Sequence, residues 1–298
     1  MTWKQLWDEF WHRPQGSAGI AVLRVTFGFL MLYSVTSSMI SLQDWNLIDG
    51  LVSKEVVEGF YPGRLSFSIF TYAQSIEQLE ALLALNVSAI VLLIVGVKTR
   101  IAAWLVYLFA ISTMNYNPLM LYGFDRYVVT VAMVLLIHPG HLHLSIDALR
   151  AKRKTPQWLP EPSHAATIAI RFFQIVFAFR YFGSGYYKLA EGWKDGDILW
   201  QILSNDSLYR FDLTFLHHFW GLGLLSNGTV LFELFFIPLM LCSKTRPFTT
   251  GAGILMHAFI AVFLNISLFG SLLMLGYILF VSPQWWEANL TKLKTKYR

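Results

Sequence analysis

Long apolar runs separated by short polar connectors dominate the pattern of this chain. A transmembrane helix needs about 20 mainly apolar residues. We therefore predict eight membrane-spanning helices, over residues 19–40, 79–97, 101–118, 124–138, 165–190, 219–242, 247–266 and 268–282. The last three runs are closely spaced and the fourth is short, so counts of seven and nine stay open.

The first residues follow a different pattern. Trp3, Leu6, Trp7, Phe10 and Trp11 recur at the spacing of one helix face, while charged side chains occupy the other side. This pattern is typical of an amphipathic helix that lies in the membrane interface. We predict that such a helix precedes the first span.

Composition agrees with a membrane protein. The chain has 298 residues, of which 55% are hydrophobic and only 14% are charged, against roughly 25% charged residues in soluble domains. No internal repeat or change of composition divides the chain. The expected fold class is an all-α polytopic membrane bundle, forming a single domain over residues 1–298 with the lipid bilayer as its partner.

The net charge of +5 indicates orientation rather than nucleic-acid binding, because the basic residues lie in short clusters between apolar runs. With eight spans and an inner N-terminus, fourteen basic residues lie inside: Lys4, Arg13, Lys98, Arg100, Arg150, Lys152, Arg153, Lys154, Lys244, Arg246, Lys292, Lys294, Lys296 and Arg298. Five lie outside: Lys54, Arg64, Arg126, Lys194 and Arg210. We predict an inner-membrane protein with both termini in the cytoplasm.

Several charged residues fall within predicted spans, where a charge is costly and requires a partner or a function. Arg24 and Arg171 lie near cytoplasmic helix ends and can reach the membrane surface, so we expect structural roles for them. Arg180 and Glu233 lie at comparable depths, about 15 Å from a helix end. We predict a buried structural ion pair between these two residues, with a substrate role as the alternative.

Lys188 and His257 are the candidate proton carriers. Lys188 stands at the outer end of the fifth span, after Gly183 and Gly185 and before Trp193. In an aromatic, poorly hydrated pocket a lysine can act as a neutral base, and the alternative is a lysine that extends towards water. His257, at mid-depth in the seventh span, is either a proton carrier or a hydrogen-bonded packing residue.

Other motifs point to no further chemistry. His138, His141 and His143 have the spacing of metal ligands but straddle a Pro-Gly break at a span end, so we assign no metal site. The chain contains no phosphate-binding loop, dinucleotide motif or nucleophile elbow.

Several segments resemble the HTTM family, the membrane domain shared with vitamin K-dependent gamma-carboxylase. The most specific is Tyr-Tyr-Lys188-Leu-Ala-Glu-Gly-Trp193-Lys-Asp-Gly196. Three others occur in the family's order: Asn117-Pro-Leu-Met-Leu-Tyr-Gly123, His143-Leu-Ser145-Ile-Asp147, and Leu-Met-His257 followed by Asn265 and Phe269. The resemblance covers nearly the whole chain.

The resemblance implies that Lys188 is a base on the outer side. In the carboxylase, the corresponding lysine deprotonates a reduced quinone, whose oxygenation then drives carboxylation of glutamate side chains. Here Pro118 takes the position of the carboxylase's histidine, and we expect no large lumenal domain after the last span. We therefore expect a compact bacterial relative with another substrate, from a group associated with maturation of secreted peptides.

Two functional hypotheses follow. In the first, the chain is a membrane enzyme or maturation factor that acts on a quinone, a lipid or a membrane-associated peptide. Lys188 and His257 are then catalytic, while Asn117, Tyr187 and Trp193 bind the substrate, and a reduced quinone is the candidate cofactor. In the second, the chain is a non-enzymatic binding, immunity or transport component whose buried charges hold the helices together.

Overall fold

The computed structural model describes residues 2–60, 67–190, 192–213, 215, 216 and 221–296. These residues form helices, turns and two isolated β-bridges, which confirms the all-α class. The α-helices are α1 (Trp3–Trp11), α2 (Ala18–Ile40), α3 (Leu42–Trp45), α4 (Lys54–Phe60), α5 (Ile76–Val95), α6 (Thr99–Tyr116), α7 (Gly123–Ile137), α8 (Ile146–Lys154), α9 (His164–Ala190), α10 (Asp197–Ser204), α11 (Leu222–Leu234), α12 (Phe236–Leu241), α13 (Arg246–Phe263), α14 (Ser267–Gly276) and α15 (Pro283–Lys296).

The predicted segments are helical wherever the structure describes them. The first five and the seventh coincide with α2, α5, α6, α7, α9 and α13, with ends that differ by at most three residues. The sixth is divided at Phe235 into α11 and α12, and its residues 219 and 220 lie outside the described part of the chain. The eighth is α14 followed by a 3-10 turn, Tyr277–Phe280.

Three of the described helices are long and apolar enough to cross a membrane: α2, α5 and α9. A fourth span is added if α14, its 3-10 turn and α15 are taken as one bent span. The chain is therefore a membrane helical protein. The count of eight spans and the cytoplasmic location of both termini stay predictions. Of the basic residues used to predict the orientation, Arg64 and Arg298 lie outside the described residues.

The chain forms two compact units, residues 1–173 with 281–298, and residues 174–280. In the first unit, α2 packs against α5, α7 and α15, and α6 packs against α5 and α7. Apolar side chains of α2 such as Ile20, Leu23 and Phe27 are fully buried in its core. The prediction of one domain over residues 1–298 stays a prediction.

Arg24 lies inside the first unit rather than at its surface. Its side chain is fully buried, and its guanidinium donates to the carbonyl oxygens of Leu93, Ile94, His143 and Leu144. The last carbonyls of a helix have no partner within that helix and carry a partial negative charge. The role is structural, as expected, but Arg24 caps the end of α5 instead of reaching towards the membrane surface.

The segment from Ser145 to Asp147 joins two helices. Ser145 Oγ accepts from Ala148 N at 2.9 Å and caps α8. Asp147 accepts from Thr99 N at 2.9 Å, Thr99 Oγ1 at 2.7 Å and Lys98 N at 3.1 Å, and so caps α6. Burial raises the pKa of Asp147, but the hydrogen bonds from Thr99 and Lys98 and the charge of Arg150 outweigh burial and hold that pKa below its usual value.

The predicted amphipathic helix is α1. A capping box between Thr2 and Gln5 begins it, and its side chains Trp3 and Trp7 are exposed. Arg171 Nε donates to the carbonyl oxygen of Phe10 at 3.2 Å, and the Arg171 guanidinium lies 4.2 Å from the centre of the Phe10 ring. Arg171 thus holds α1 against α9.

The second unit contains the later part of α9 and helices α10 to α14. Helix α13 packs against α12 and α14. An aromatic cluster fills its interior, formed by Phe177, Tyr181, Phe236, Tyr277 and Phe280. A smaller apolar cluster joins α10 to its neighbours through Leu203, Leu213, Leu222 and Leu264.

Candidate functional site

Helices α9 and α11 meet closely at Gly185. A Cβ atom added to Gly185 would lie 2.8 Å from the backbone nitrogen of Leu234 and 3.0 Å from Cβ of Glu233. A residue larger than glycine would fit at position 185 only if the backbone shifted. Since residues three apart share a helix face, this contact places Lys188 beside Glu233.

Lys188 and Glu233 form an ion pair. Lys188 Nζ donates to Glu233 Oε1 at 2.6 Å, and only 18% and 8% of the two side chains are exposed. The partner of Glu233 is thus Lys188 rather than the predicted Arg180. Arg180 lies five residues before Gly185, about 140° around the helix, so it points away from the contact with α11.

Trp193 completes the surroundings of the Lys188 amine. Its ring centre lies 4.6 Å from Lys188 Nζ, within the range of a cation–π contact. The 3-10 turn Trp193–Asp195 is bounded by Gly192 and Gly196, whose φ angles of 58° and 86° favour glycine. Ser226 Oγ on α11 donates to the carbonyl oxygen of Trp193 and holds the turn in place.

Only one of the two carboxylate oxygens of Glu233 binds Lys188. Oε1 binds Lys188, and the Ser184 side chain lies beside the carboxylate. Oε2 is buried, and no donor among the described residues reaches it with the geometry of a hydrogen bond. Buried carboxylate oxygens are costly unless a donor satisfies them. The sequence predicts a structural ion pair of Glu233 with Arg180, with a substrate role as the alternative, because depth alone does not show which side chains face each other.

His257 belongs to a hydrogen-bonded chain of three side chains. Its Nε2 bonds with the hydroxyl of Tyr181, which in turn bonds with the hydroxyl of Tyr277 at 2.8 Å. Tyr277 fits because α13 has glycine at position 253, where a Cβ atom would lie 1.7 Å from the Tyr277 hydroxyl oxygen. His257 is buried, and its Nδ1 has no partner among the described residues.

The two tyrosines were not among the predicted site residues. Tyr181 lies seven residues before Lys188, which places it on the same face of α9 two turns away. Its ring stacks on Phe236 at 4.1 Å between ring centres, just beyond the end of α11. The spacing from Lys188 was a visible signal, but in an apolar helix an aromatic residue at that spacing usually indicates packing alone.

The remaining candidates are placed differently. Tyr187 is 70% exposed, and its ring meets that of Tyr186 edge to face. Asn117 belongs to the first unit. Its side chain donates to the carbonyl oxygen of Trp45 at 3.1 Å and accepts from Leu119 N at 3.3 Å, so both ends of its amide already bind backbone. A substrate contact by Asn117 or Tyr187 stays a prediction.

The histidines near the Pro-Gly break do not form a metal cluster within the described ranges, where no three His, Cys, Asp or Glu side chains could hold a metal ion together. His138 Nδ1 instead accepts from Gly140 N at 3.1 Å, which stabilises the turn.

Comparison with known proteins identifies the family of the chain. No curated protein and no solved structure matches this chain. The profile of the HTTM domain matches residues 12–285, which include every residue of the site described above. The chain therefore belongs to the HTTM family.

Proposed function

We propose that the chain is a membrane-embedded enzyme or maturation factor that removes a proton from its substrate at the outer face of the inner membrane. The substrate is a reduced quinone, a lipid or a secreted peptide. The Lys188–Glu233 pair transfers the proton, and the resemblance of the Lys188 segment to the carboxylase implies that Lys188 is the base. The observation that carries this proposal is the 2.6 Å contact between two mostly buried charges beside Trp193.

Two features support a chemical role for the pair. Placing two charges in an apolar helix bundle is costly, and apolar residues of similar size often stabilise a protein as well or better. The turn that carries Trp193 is held by side chains of α11, so the ring and the carboxylate are positioned by the same helix. A fixed geometry of this kind is what proton transfer requires.

The aromatic surroundings suit a planar substrate. The Trp193 ring lies beside the Lys188 amine and is only partly buried, so part of its surface is open to a ligand. Aromatic side chains favour stacking on planar rings. Among the three substrate classes, a reduced quinone therefore fits this setting best.

The proposal is tested by substitution of Lys188. We expect Lys188→Ala to lower product formation about 100-fold or more, because the loss of a positioned acid–base group typically costs that much. The measurement is mass spectrometry of the product in cells that express the full chain. The matched control is Lys194→Ala, which removes an exposed lysine from the following turn and should leave product formation unchanged.

Native mass spectrometry of the gently purified protein identifies the substrate class. Retention of a quinone by the wild-type protein supports the proposal, and retention of a lipid or a peptide selects among its classes. Full product formation by Lys188→Ala would contradict a catalytic role for the pair.

The second candidate is a non-enzymatic binding, immunity or transport component. It is favoured by the contact at Gly185, since an ion pair beside so close a contact can act as a link between α9 and α11. The exchange variant Lys188→Glu with Glu233→Lys separates the two functions. If the pair is catalytic, the exchange variant should recover thermal stability in detergent without recovering product formation. If the pair is only a structural link, the variant should recover both its stability and the cellular function of the protein.

A further inference from the structure

The two members of the ion pair differ in their contacts. Lys188 Nζ donates to Glu233 Oε1 and faces the Trp193 ring, and both contacts are of the kind that an ammonium group makes. Glu233 uses only one of its two oxygens. Within the pair, the atom with unused acceptor capacity therefore belongs to the glutamate.

The unused oxygen is enclosed by protein. Glu233 Oε2 is buried and accepts no hydrogen bond from the part of the chain that the structure describes. In a poorly hydrated interior, a carboxylate oxygen without a donor is unfavourable and binds strongly to any donor that reaches it. The hydroxyl group of a weakly acidic substrate is such a donor.

A backbone contact fixes the position of Glu233 along α9. The close approach of Gly185 to Cβ of Glu233 leaves α11 little freedom to slide along α9. Lys188 holds Oε1 from one side, so Oε2 has a defined direction. A fixed carboxylate beside a fixed positive charge is an arrangement suited to general-base catalysis.

We infer that Glu233, through Oε2, is the proton acceptor of the site, and that Lys188 remains an ammonium group throughout the step. The O–H bond of an aromatic alcohol breaks, its electron pair stays on the alcohol oxygen, and the proton forms an O–H bond with Glu233 Oε2. The protonated carboxyl group of Glu233 no longer carries a negative charge. The Lys188 ammonium group then pairs with the new anion instead. This inference rests on the proposed function and reverses the roles of the two residues.

Two substitutions separate the roles. Arginine keeps a positive charge and does not accept a proton at neutral pH. Lys188→Arg should therefore remain active if Glu233 is the base and lose activity if Lys188 is the base. Glutamine keeps the shape of glutamate and cannot take up the proton. If glutamate is the base, Lys188→Arg should be active and Glu233→Gln inactive. If lysine is the base, Lys188→Arg should be inactive and Glu233→Gln active.

The experiment uses 4-nitrophenol as the probe, an aromatic alcohol that is colourless when protonated and yellow as the anion. The full chain in detergent is mixed with the probe at a pH at which the free probe is mostly protonated. We expect the wild-type protein to turn bound probe into the anion, Glu233→Gln to form about tenfold less or lower still, and Lys188→Arg to retain much of the wild-type signal. Asp197→Asn, at an exposed carboxylate that begins α10, is the matched control and should behave as the wild type.

Infrared difference spectroscopy of the wild-type protein gives a second readout that does not depend on the folding of a variant. Addition of the probe should produce the band of a newly protonated carboxyl group. Anion formation without that band, or anion formation that survives in Glu233→Gln and is lost in a folded Lys188→Arg, would overturn the inference while leaving the proposed site intact. No anion in the wild-type protein would contradict the proposed function itself, and the inference with it.

Discussion

Arg24 shows how a single buried residue can organise the end of a helix. Its guanidinium serves carbonyl oxygens at the end of α5 and at residues 143 and 144, which lie just before α8. A planar guanidinium with five donors can satisfy several carbonyls at once, which a lysine cannot do. The charge is thus tolerated in the interior because the backbone supplies its partners.

Removal of this side chain should destabilise the protein strongly. Arg24→Ala leaves buried carbonyl oxygens without donors and opens a cavity, so we expect a loss of about 3 kcal/mol in the free energy of unfolding. The measurement is thermal unfolding in detergent. Arg13→Ala is the control, because its ion pair with Glu9 is exposed and contributes little. Equal melting temperatures for the two variants would contradict the structural role of Arg24.

At the scale of elements, the connection between α6 and α8 depends on one carboxylate. Asp147 lies in the first turn of α8 but caps the start of α6 through Thr99 and Lys98. Its own backbone nitrogen donates to Gly96 O at 2.9 Å. The Ser145-Ile-Asp147 segment, noted in the sequence as a family resemblance, is therefore a double helix cap.

Loss of this cap should be measurable. Asp147→Ala is expected to lower stability by about 1 to 2 kcal/mol, the usual range for a helix cap. Since hydrogen bonds and Arg150 hold the pKa of Asp147 below its usual value, the contribution is fully present above the unfolded pKa of about 4 and is lost as pH falls through the folded pKa.

The measurement is thermal unfolding in detergent as a function of pH. The difference between wild type and Asp147→Ala should stay constant at neutral pH and shrink in strong acid. Asp49→Ala removes an exposed carboxylate from the same unit and should show neither effect. A difference that grows on acidification would contradict the cap.

At the scale of the whole molecule, orientation in the membrane follows from the placement of charge. Basic residues gather in the connector that contains α8, where Arg150, Lys152, Arg153 and Lys154 occur within five positions. Cytoplasmic connectors carry such clusters. The connector with Lys194 belongs to the opposite side under this prediction.

Cysteine labelling tests the orientation directly. Cys242 is the only cysteine of the chain, so Cys242→Ala provides a background without thiols. A membrane-impermeant reagent added from outside should modify Lys194→Cys and leave Lys152→Cys unmodified until the membrane is opened. The reverse pattern would place Lys188 on the cytoplasmic side and contradict the predicted orientation.

The positions of the helices and the family could be predicted from the sequence, because both depend on local patterns. The apolar runs at 19–40 and 165–190 coincide with α2 and α9 within one residue. The interruption at Phe235 was not predicted from hydrophobicity, which carries no sign of a break. The available signal was Pro238, which has no N–H to donate to the carbonyl oxygen of Leu234 and so interrupts a helix there.

The sequence alone determined that this is a helical membrane protein of the HTTM family, with Lys188, Glu233 and His257 as polar residues within its predicted spans. Only the tertiary structure decided which partners they have. Pairing depends on how neighbouring helices are rotated and shifted relative to each other, and here a backbone contact at Gly185 sets both. That contact turned Lys188 rather than Arg180 towards Glu233, and the rotation of a helix about its axis cannot be read from hydrophobicity when all of its faces are apolar.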